Sequence, residues 1–579
     1  MKDFLEIKKN LKKDFSKFKT IKIAILGDTT TQFLIQSLRG LGYDYQVNLE
    51  IWEADFNQIE RQVFDLKSEL YEFKPEIVIV FQASHKLLAK YNKLKATEHL
   101  SLASNELEII ANIYSTLSTN ANAKIIYYNY TEIDDAVFGN YGNKMACSFL
   151  FQLRKLNYEL MKFASENANL FLCDLSSIQN QIGKNIFFHT SVYINTEMVL
   201  SLDVLPRIAS KTLCIIIALS GRFNKCLILD LDNTIWGGII GDDGLENIQI
   251  GNLGIGKAFS EFQYWVKKLK TRGIIIAVCS KNTESVAKEP FEKHPDMILH
   301  LEDIAVFIAN WENKADNIRK IQSILNIGFD SIVFLDDNPF ERNIVRENIP
   351  DICVPELPED PAEYLEYLYS LNLFETVSFS SEDAERTLLY QKEAQRSVVQ
   401  QKFANEDEFL KSLNMYSHVE SFNKFNTPRV AQLSQRSNQF NLRTVRYAEA
   451  DIERQILSKE YFTFAFTLKD KFGDNGLICA VILQQENSEV LFINAWFMSC
   501  RVLKRGMESF VLDIIVDFAK LKNVKILRGE YISTPKNEMV KDHYLNLGFL
   551  QKNGYWQLEL ENYNKGLFYI NHNMAYEQI

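Results

Sequence analysis

Short apolar runs alternate with amphipathic stretches through the first 360 residues of this 579-residue chain. IKIAIL (21–26), EIVIVF (76–81) and AKIIYY (123–128) are almost uninterrupted, as expected for strands buried on both faces. KCLILD, GIIIAVCS and SIVFLDD repeat the pattern between 225 and 337. The intervening segments carry helical periodicity, and strands that alternate with helices build parallel sheets covered by helices. The sequence therefore predicts an α/β fold with parallel sheets.

Two changes along the chain indicate domain boundaries. The stretch NIPDICVPELPEDP (348–361) holds four of the eleven prolines, which fix φ and remove backbone donors, so it is typical of an irregular connector. Near 205–225 an apolar, helix-like run gives way to Ser-Gly-Arg-Phe-Asn and then to a new apolar strand. We expect three domains, at 1–221, 222–360 and 361–579.

Composition excludes several classes of partner. The formal net charge is -11, whereas a broad nucleic-acid surface needs a basic excess. The longest purely apolar runs, such as Leu213–Leu219, have seven residues, and a membrane span needs about 18. The eight cysteines include no CxxC pair, which indicates a reducing compartment and no zinc cluster. We therefore expect a cytoplasmic protein without a nucleic-acid or membrane partner.

The strongest chemical signal is Asp230-Leu231-Asp232-Asn233-Thr234, which follows the apolar strand 226–229. Carboxylates at the end of a buried parallel strand lie at the ligand-binding edge of the sheet. Side chains at i and i+2 leave a strand on one side, and two carboxylates this close are tolerable when they share a divalent cation. One carboxylate can attack phosphorus while the other protonates the leaving oxygen. Taken alone, the motif is also compatible with a capped turn after a strand.

Four polar groups elsewhere are expected at the same sheet edge. Ser280 directly follows the apolar strand 274–279, and Lys314 begins a helix. Asp336 and Asp337 follow the strand 331–335. Ser280 and Lys314 would hold phosphoryl oxygens. Asp336 and Asp337 would complete a metal shell of hard oxygen ligands, which suits Mg²⁺.

These residues resemble the four motifs of the haloacid dehalogenase superfamily, whose members transfer phosphoryl groups through an aspartyl phosphate. The resemblance implies that Asp230 is the nucleophile and Asp232 the acid/base. It implies a Mg²⁺ site formed by Asp230, Asp232, Asp336 and Asp337, with Thr234, Ser280 and Lys314 binding substrate. The interval between the first two motifs is too short for a large cap domain, so the site should be open to a large substrate or a partner protein.

The resemblance narrows to the FkbH-like family, in subfamily IIIC of that superfamily. The segments that carry it span nearly the whole chain: KCLILDLDNTIWGGIIGDDGLENIQIG, VCSKN, WENKADNI, FLDDNPFERNIVR, QLSQRSNQFNLRTVRY, DKFGDNGLI, FMSCRVLKRGME and GEYISTPKNEMV. Some members take a glyceryl group from 1,3-bisphosphoglycerate, remove phosphate and load the acyl group on an acyl carrier protein as a thioester. Others are known only as phosphatases. The resemblance thus implies Mg²⁺ as cofactor and an acyl carrier protein as partner.

An acyl relay through this chain would need a thiol beside the phosphate site. Cys279 directly precedes Ser280, and a nearby metal and Lys314 would favour its thiolate. The alternative is that Cys279 is a small buried strand residue. Trp236, just after the first motif, is expected either to line the substrate pocket or to be a core aromatic.

The first domain carries a second motif. Gly27-Asp28-Thr29-Thr30 is similar to the first block of the SGNH hydrolases, with Thr29 where the nucleophilic serine usually stands. Such enzymes also need a late Asp-x-x-His, but His189, the nearby histidine, has no aspartate three residues before it. We expect a degenerate SGNH-like scaffold over 1–221.

The third domain begins with a charged helix, for which Ser380 and Asp383 form a capping box. Its strands and the ending Tyr544-x-x-x-Gly548-Phe549 resemble the acetyltransferases related to GCN5. In that fold the segment Arg501-Val-Leu-Lys504-Arg505-Gly506 would present backbone N–H groups to a pyrophosphate. Lys504 stands where a glycine is usual, which opposes close backbone approach. Arg501, Lys504 and Gly506 are therefore candidates for coenzyme A, for the phosphopantetheine arm of a carrier protein, or for a charged helix start without a ligand.

Three functions follow. The preferred one is a phosphatase/acyltransferase that forms glyceryl or related hydroxyacyl thioesters on a carrier protein. The second is a phosphomonoesterase acting on a small metabolite or sugar phosphate in polysaccharide or secondary-metabolite biosynthesis. The third, a docking scaffold without activity, is disfavoured by the intact set of aspartates.

Overall fold

The computed structural model describes residues 2–379, 386–400, 403–437, 439–534 and 536–573. The chain divides into two compact units, Met1–Ile217 and Ala218–Ile579. The described residues form one sheet in the first unit and two in the second. The predicted capping box of Ser380 and Asp383 lies outside the described residues.

The first unit is built on a parallel sheet of five strands in the order β2-β1-β3-β4-β5. Its strands are β1 (Lys19–Gly27), β2 (Val47–Glu53), β3 (Ile77–Phe81), β4 (Lys124–Tyr128) and β5 (Leu170–Cys173). Its helices are α1 (Phe4–Asn10), α2 (Gln32–Asp44), α3 (Ile59–Phe64), α4 (Glu69–Phe73), α5 (Ser84–Tyr91), α6 (Leu102–Asn120), α7 (Phe149–Ser165), α8 (Leu175–Ile182), α9 (Lys184–Phe187), α10 (Thr190–Thr196) and α11 (Leu205–Leu219), which runs past the end of the unit. The three strands predicted here are confirmed.

The second unit begins with a four-stranded parallel sheet in the order β8-β7-β6-β9. Its strands are β6 (Cys226–Leu229), β7 (Ile275–Ser280), β8 (Val306–Ala309) and β9 (Ile332–Leu335). Its helices are α12 (Ile240–Asp243), α13 (Gly254–Thr271), α14 (Glu284–Lys293), α15 (Lys314–Leu325), α16 (Pro339–Asn348) and α17 (Tyr364–Leu371). Leu229 pairs with Val278 on one side and with Leu335 on the other, so β6 and β9 end at the same level and β7 continues for two more residues.

Two apolar layers sandwich this sheet. One contains Leu227 and Leu229, and the other contains Cys226 and Ile228, as the two-residue period of a strand requires. The first layer also includes Tyr364, Leu368 and Phe374, so its core extends beyond the domain boundary expected at residue 360. The proline-rich stretch itself is irregular between α16 and a 3-10 turn at Pro361–Glu363, as predicted.

The rest of the second unit surrounds an eight-stranded mixed sheet in the order β15-β16-β14-β13-β12-β11-β10-β17. The strands are β10 (Met415–Glu420), β11 (Tyr461–Asp470), β12 (Gly473–Asn487), β13 (Val490–Met498), β14 (Ile526–Gly529), β15 (Leu550–Lys552), β16 (Tyr555–Glu559) and β17 (Ile570–Asn573). The helices are α18 (Arg386–Gln400), α19 (Glu406–Ser412), α20 (Thr427–Arg436), α21 (Glu449–Leu457), α22 (Met507–Leu521) and α23 (His543–Asn546). Neighbouring strands are antiparallel, except that β13 pairs with β14 and β10 with β17 in parallel.

The predicted fold class, a multi-domain α/β chain with a central parallel sheet, is confirmed. The division into three domains stays a prediction, because both later sheets belong to one compact unit. Within the described part of the chain, every helix is too short or too polar to cross a bilayer.

Candidate active site

Three carboxylates converge at the carboxyl edge of the four-stranded sheet. Asp230 follows β6, and Asp336 and Asp337 follow the neighbouring strand β9. Each offers one oxygen, and the three oxygens lie within 4.8 Å of one another. The backbone N–H of Asp230 donates to the carbonyl of Leu335 at 2.9 Å, which fixes the two strand ends side by side. This set of hard oxygen donors has the chemistry that a Mg²⁺ site requires.

The electrostatics of the cluster call for a cation. Burial, and after it the charge of Asp230, raises the pKa of Asp336 to about 7. Burial likewise raises the pKa of Asp337. The Oδ1 atom of Asp230 is buried without a hydrogen-bond partner among the described residues. An unpartnered oxygen in a group of like charges is costly unless a cation completes it, so these residues fit a divalent metal.

Lys314 lies between two of the carboxylates. Its Nζ is 2.9 Å from Oδ2 of Asp230 and 2.5 Å from Oδ2 of Asp336. The residue begins α15, which Asn313 caps by accepting the N–H of Ala315 at 2.8 Å. Burial alone would lower the pKa of the Lys314 ammonium, but the two carboxylates raise it above its usual range. Lys314 is therefore a fixed positive charge inside the site.

Ser280 and Thr234 are placed differently from each other. Ser280 ends β7, the strand beside β6, and its side chain is buried. Thr234 was expected to bind substrate but is fully buried. Its hydroxyl accepts the N–H of Asp337 at 3.2 Å and lies 3.4 Å from the carboxylate of that residue. Thr234 thus holds Asp337 in position through this hydrogen bond, and its buried side chain does not face a substrate.

Asp232 was predicted to be a metal ligand, and this prediction requires a correction. Its carboxylate lies outside the cluster that Asp230, Asp336 and Asp337 form. Its Oδ1 accepts the indole N–H of Trp236 and the backbone N–H of Ile240, both at 3.0 Å. Its Oδ2 accepts the amide of Asn282 at 3.0 Å. The side chain is partly exposed, so it is held by these donors at the edge of the site.

Trp236 is a core aromatic and not part of a pocket wall. Its side chain is 0% exposed and packs edge-on against Phe291 with ring centroids 5.9 Å apart. The expectation that it binds substrate is therefore wrong. The sequence analysis also missed Asn282, although its position two residues after Ser280, at the same strand tip, was the available signal.

Cys279 is not placed as a relay thiol. Its side chain is 0% exposed and packs in the apolar layer beneath α15, with Sγ 3.7 Å from the carbonyl of Lys314. Burial raises the pKa of the thiol to about 12, and the charge of Lys314 does not offset it. A buried thiol of this kind is inert. The alternative given above, a small buried strand residue, agrees with this position.

The residues of the segment Arg501–Gly506 differ in their exposure. Arg501 is 7% exposed, with its guanidinium over the ring of Tyr390. Gly506 has φ +77 at the start of α22, and a Cβ there would lie 3.3 Å from Cβ of Phe568. The side chain of Lys504 is exposed, and the carboxylate of Glu508 faces the Lys504 backbone N–H. The burial of Arg501 argues against its expected contact with a pyrophosphate. Gly506 is partly exposed, so the expected contacts of Lys504 and Gly506 stay predictions.

The first unit has its own polar edge. Both oxygens of Asp28 accept the N–H of Ala83, at 2.9 and 3.1 Å, and burial raises the pKa of Asp28 to about 7. The hydroxyl of Thr29 is buried and has no hydrogen-bond partner among the described residues. His189 is exposed at the start of α10. The degenerate SGNH-like scaffold stays a prediction.

Comparisons with known proteins agree with this geometry. The family model described as FkbH, N-terminal domain, matches residues 22–217. The N-terminal part of the protein BF1531 from Bacteroides fragilis is 56% identical, with a TM-score of 0.63 over 66% of this chain and 100% of that chain. That solved structure contains a phosphatase domain complexed with Mg. No curated protein matches the chain.

Weaker likenesses concern about a quarter of the chain. The ribosomal-protein-S18-alanine N-acetyltransferase of Escherichia coli is 15% identical, with a TM-score of 0.20 over 26% of this chain and 99% of that chain. The GNAT domain of S. lividans PAT is 17% identical, with a TM-score of 0.20 over 24% of this chain and 88% of that chain. Likenesses at this level carry no conclusion about activity.

Proposed function

Because the chain belongs to the FkbH-like family of the haloacid dehalogenase superfamily, we propose that it is a Mg²⁺-dependent phosphatase/acyltransferase that uses Asp230 as its nucleophile. One observation carries the proposal: oxygens of Asp230, Asp336 and Asp337 lie within 4.8 Å of one another, beside the ammonium of Lys314. The solved relative with a phosphatase domain complexed with Mg supports the same cofactor for this chain.

In this proposal Asp230, Asp336 and Asp337 would hold Mg²⁺, which would supply positive charge for the phosphate oxygens. A carboxylate oxygen of Asp230 attacks phosphorus, and the bond from phosphorus to the leaving oxygen breaks. Asp232 gives its proton to that oxygen. Asp232 then takes a proton from water, whose oxygen attacks the phosphorus of the aspartyl phosphate and frees both phosphate and the Asp230 carboxylate.

Lys314 and Ser280 bind the phosphoryl group in this scheme. The ammonium of Lys314 is already held at the Asp230 carboxylate, so it is in place for the charge that accumulates on the phosphoryl oxygens. Ser280 adds a hydroxyl from the neighbouring strand tip. Thr234 keeps Asp337 in position through the hydrogen bond from the Asp337 backbone.

The finer proposal concerns substrate and partner. We propose that the substrate is a phosphoglycerate-type acyl phosphate such as 1,3-bisphosphoglycerate, and that an acyl carrier protein receives the acyl group. Removal of the ester phosphate leaves the acyl phosphate intact. Attack of the carrier thiol on the acyl carbon then forms the thioester and releases the second phosphate. Only the short α12 and the helix α13 lie between the first two motifs, which supports an open entrance. None of the eight cysteines, which all lie among the described residues, forms a disulfide, and this supports a reducing, cytoplasmic setting.

A simple phosphomonoesterase is the second candidate. The buried thiol of Cys279 favours it, because it offers no route for an acyl group. The two candidates share the chemistry at Asp230 and differ in the fate of the acyl group.

One experiment separates them. The full chain is incubated with Mg²⁺, 1,3-bisphosphoglycerate and a phosphopantetheine-bearing acyl carrier protein, and phosphate release and intact protein masses are measured. The acyltransferase proposal predicts a glyceryl adduct on the carrier. Phosphate release without an adduct on either protein supports the phosphomonoesterase. Absence of Mg²⁺-dependent phosphate release from every phosphate ester and acyl phosphate tried contradicts both.

A further inference from the structure

The loop that follows Asp232 folds back onto the carboxylate of that residue. Trp236 and Ile240, four and eight residues later, each return an N–H group to Oδ1 at 3.0 Å. The left-handed backbone of Gly238, φ +92, permits the turn, and its N–H donates to the side chain of Asn233 at 2.9 Å. The loop therefore holds its shape independently of any substrate.

A third donor comes from the next strand of the sheet. Asn282 is buried, and its amide N–H reaches Oδ2 of Asp232 at 3.0 Å. Its own carbonyl oxygen accepts the N–H of Thr283 at 3.2 Å, which orients the amide toward Asp232. The carboxylate is thus held from two directions, by its own loop and by the tip of β7.

These contacts leave the carboxylate little rotational freedom. An ionised carboxylate has about four lone-pair sites, and three donors occupy three of them here. The remaining site belongs to Oδ2, which accepts one donor while Oδ1 accepts two. No other donor among the described residues occupies this last site, and the side chain of Asp232 is partly exposed to solvent.

We propose that Trp236 and Asn282 are positioning residues that direct the remaining Oδ2 site of Asp232, which carries the proton when Asp232 acts as the acid, at the leaving oxygen of the substrate. The inference rests on the proposed function, since it presumes that Asp232 exchanges a proton with that oxygen. Neither residue touches the substrate. Trp236 acts from the core through its indole N–H, and Asn282 acts from the strand tip.

The test uses leaving groups of different basicity. In the full-length protein with Mg²⁺, kcat/KM reports the steps up to loss of the leaving group. It is measured for alkyl phosphates, which need a proton on the leaving oxygen, and for p-nitrophenyl phosphate, which needs one much less. The variants are Trp236→Phe, which keeps the ring and removes the N–H, and Asn282→Leu, which keeps the size and removes the amide. Trp265→Phe, in the same apolar layer, is the matched control.

Well-placed general acids contribute about 10²–10⁴-fold, so a misdirected Asp232 should lower kcat/KM for alkyl phosphates about tenfold or more. The loss for p-nitrophenyl phosphate should stay below about threefold, and Trp265→Phe should change neither value. An equal loss for both substrates in folded variants, or no loss, overturns the positioning role. Failure of the proposed function looks different: the wild type then lacks Mg²⁺-dependent hydrolysis, or Asp230→Asn keeps it.

Discussion

Replacement of Lys314 by methionine tests the electrostatics of the site most sharply. Met is similar in length but carries no charge, so the buried carboxylates of Asp230 and Asp336 lose the cation that lies 2.9 and 2.5 Å from them. Breaking a buried ion pair by removing one partner costs about 3–5 kcal/mol, because the remaining charge is left uncompensated. Two carboxylates depend on this one lysine, so we expect the upper part of that range.

The expected change in melting temperature follows from the size of the unit. Unfolding entropy is about 2.1 cal/mol/K per residue, so a unit of about 360 residues has about 0.8 kcal/mol/K, and 3–5 kcal/mol corresponds to about 4–7 °C. Calorimetry of the metal-free protein measures this shift. Lys320→Met on the same helix is the control, because the exposed pair of Lys320 with Glu312 is worth at most about 1 kcal/mol.

Mg²⁺ should reduce the difference in stability between Lys314→Met and the wild type. A ligand that binds the native state at about 100 times its Kd stabilises it by about 2.7 kcal/mol. Removal of the lysine also removes a positive charge that competes for the Asp230 carboxylate, so Lys314→Met should bind Mg²⁺ more tightly than the wild type while phosphate release is lost. A metal-free melting temperature within about 1 °C of the wild type would refute the assignment of Lys314 as the buried counter-charge.

Three further predictions concern other parts of the chain. Cys279→Ala should retain phosphate release and any carrier loading, and iodoacetamide should not label Cys279 in the native protein; loss of loading alone would restore the relay. Burial lowers the pKa of His543 to about 3, so its imidazole stays neutral in the folded state, whereas the unfolded state gains a proton below about pH 6.5. The free energy of unfolding therefore decreases as the pH falls below about 6.5. Between about pH 7 and 5, urea unfolding of the wild type should lose about 2 kcal/mol more than that of His543→Phe, and equal losses would contradict this. Gly529→Ala places a Cβ 2.4 Å from the ring of Tyr544 and should cost about 1–3 kcal/mol of unfolding free energy, whereas an unchanged urea midpoint would contradict the close packing.

The sequence was sufficient to place the strands that lie inside the two parallel sheets. β3 and β6 are continuous apolar runs, and a run buried on both faces is a strong signal. β2 and β17 were not predicted, because both lie at sheet edges and carry polar, exposed residues. β8 was missed because four residues between a turn and a loop give too short a pattern to recognise.

The sequence predicted the part of the site whose residues lie at the ends of strands. Asp230, Ser280 and Asp336 follow adjacent parallel strands, so their neighbourhood follows from topology alone. The orientation of Asp232 did not follow, because it depends on a loop that returns the indole of Trp236 to it, and spacing alone carries no information about such a turn. The burial of Cys279 depends on the packing of α15 over that face of the sheet, which sequence pattern does not report.

The helix start near Gly506 shows a similar limit in the second half of the chain. The motif around Arg501 indicates a helix start, and α22 does begin at Met507. Phe568, about sixty positions later, lies beside Gly506, and only the folded chain brings it there. The local motif therefore predicted the helix but not the burial of Arg501.

The most direct test of the proposed reaction is to trap the phosphorylated aspartate. The protein is mixed with Mg²⁺ and p-nitrophenyl phosphate, quenched in acid and reduced with borohydride, which converts an aspartyl phosphate to homoserine, and the peptides are sequenced by mass spectrometry. We predict homoserine at position 230, dependent on Mg²⁺ and absent from Asp336→Asn. Homoserine at another aspartate, or turnover by Asp230→Asn at the wild-type rate, would contradict the account.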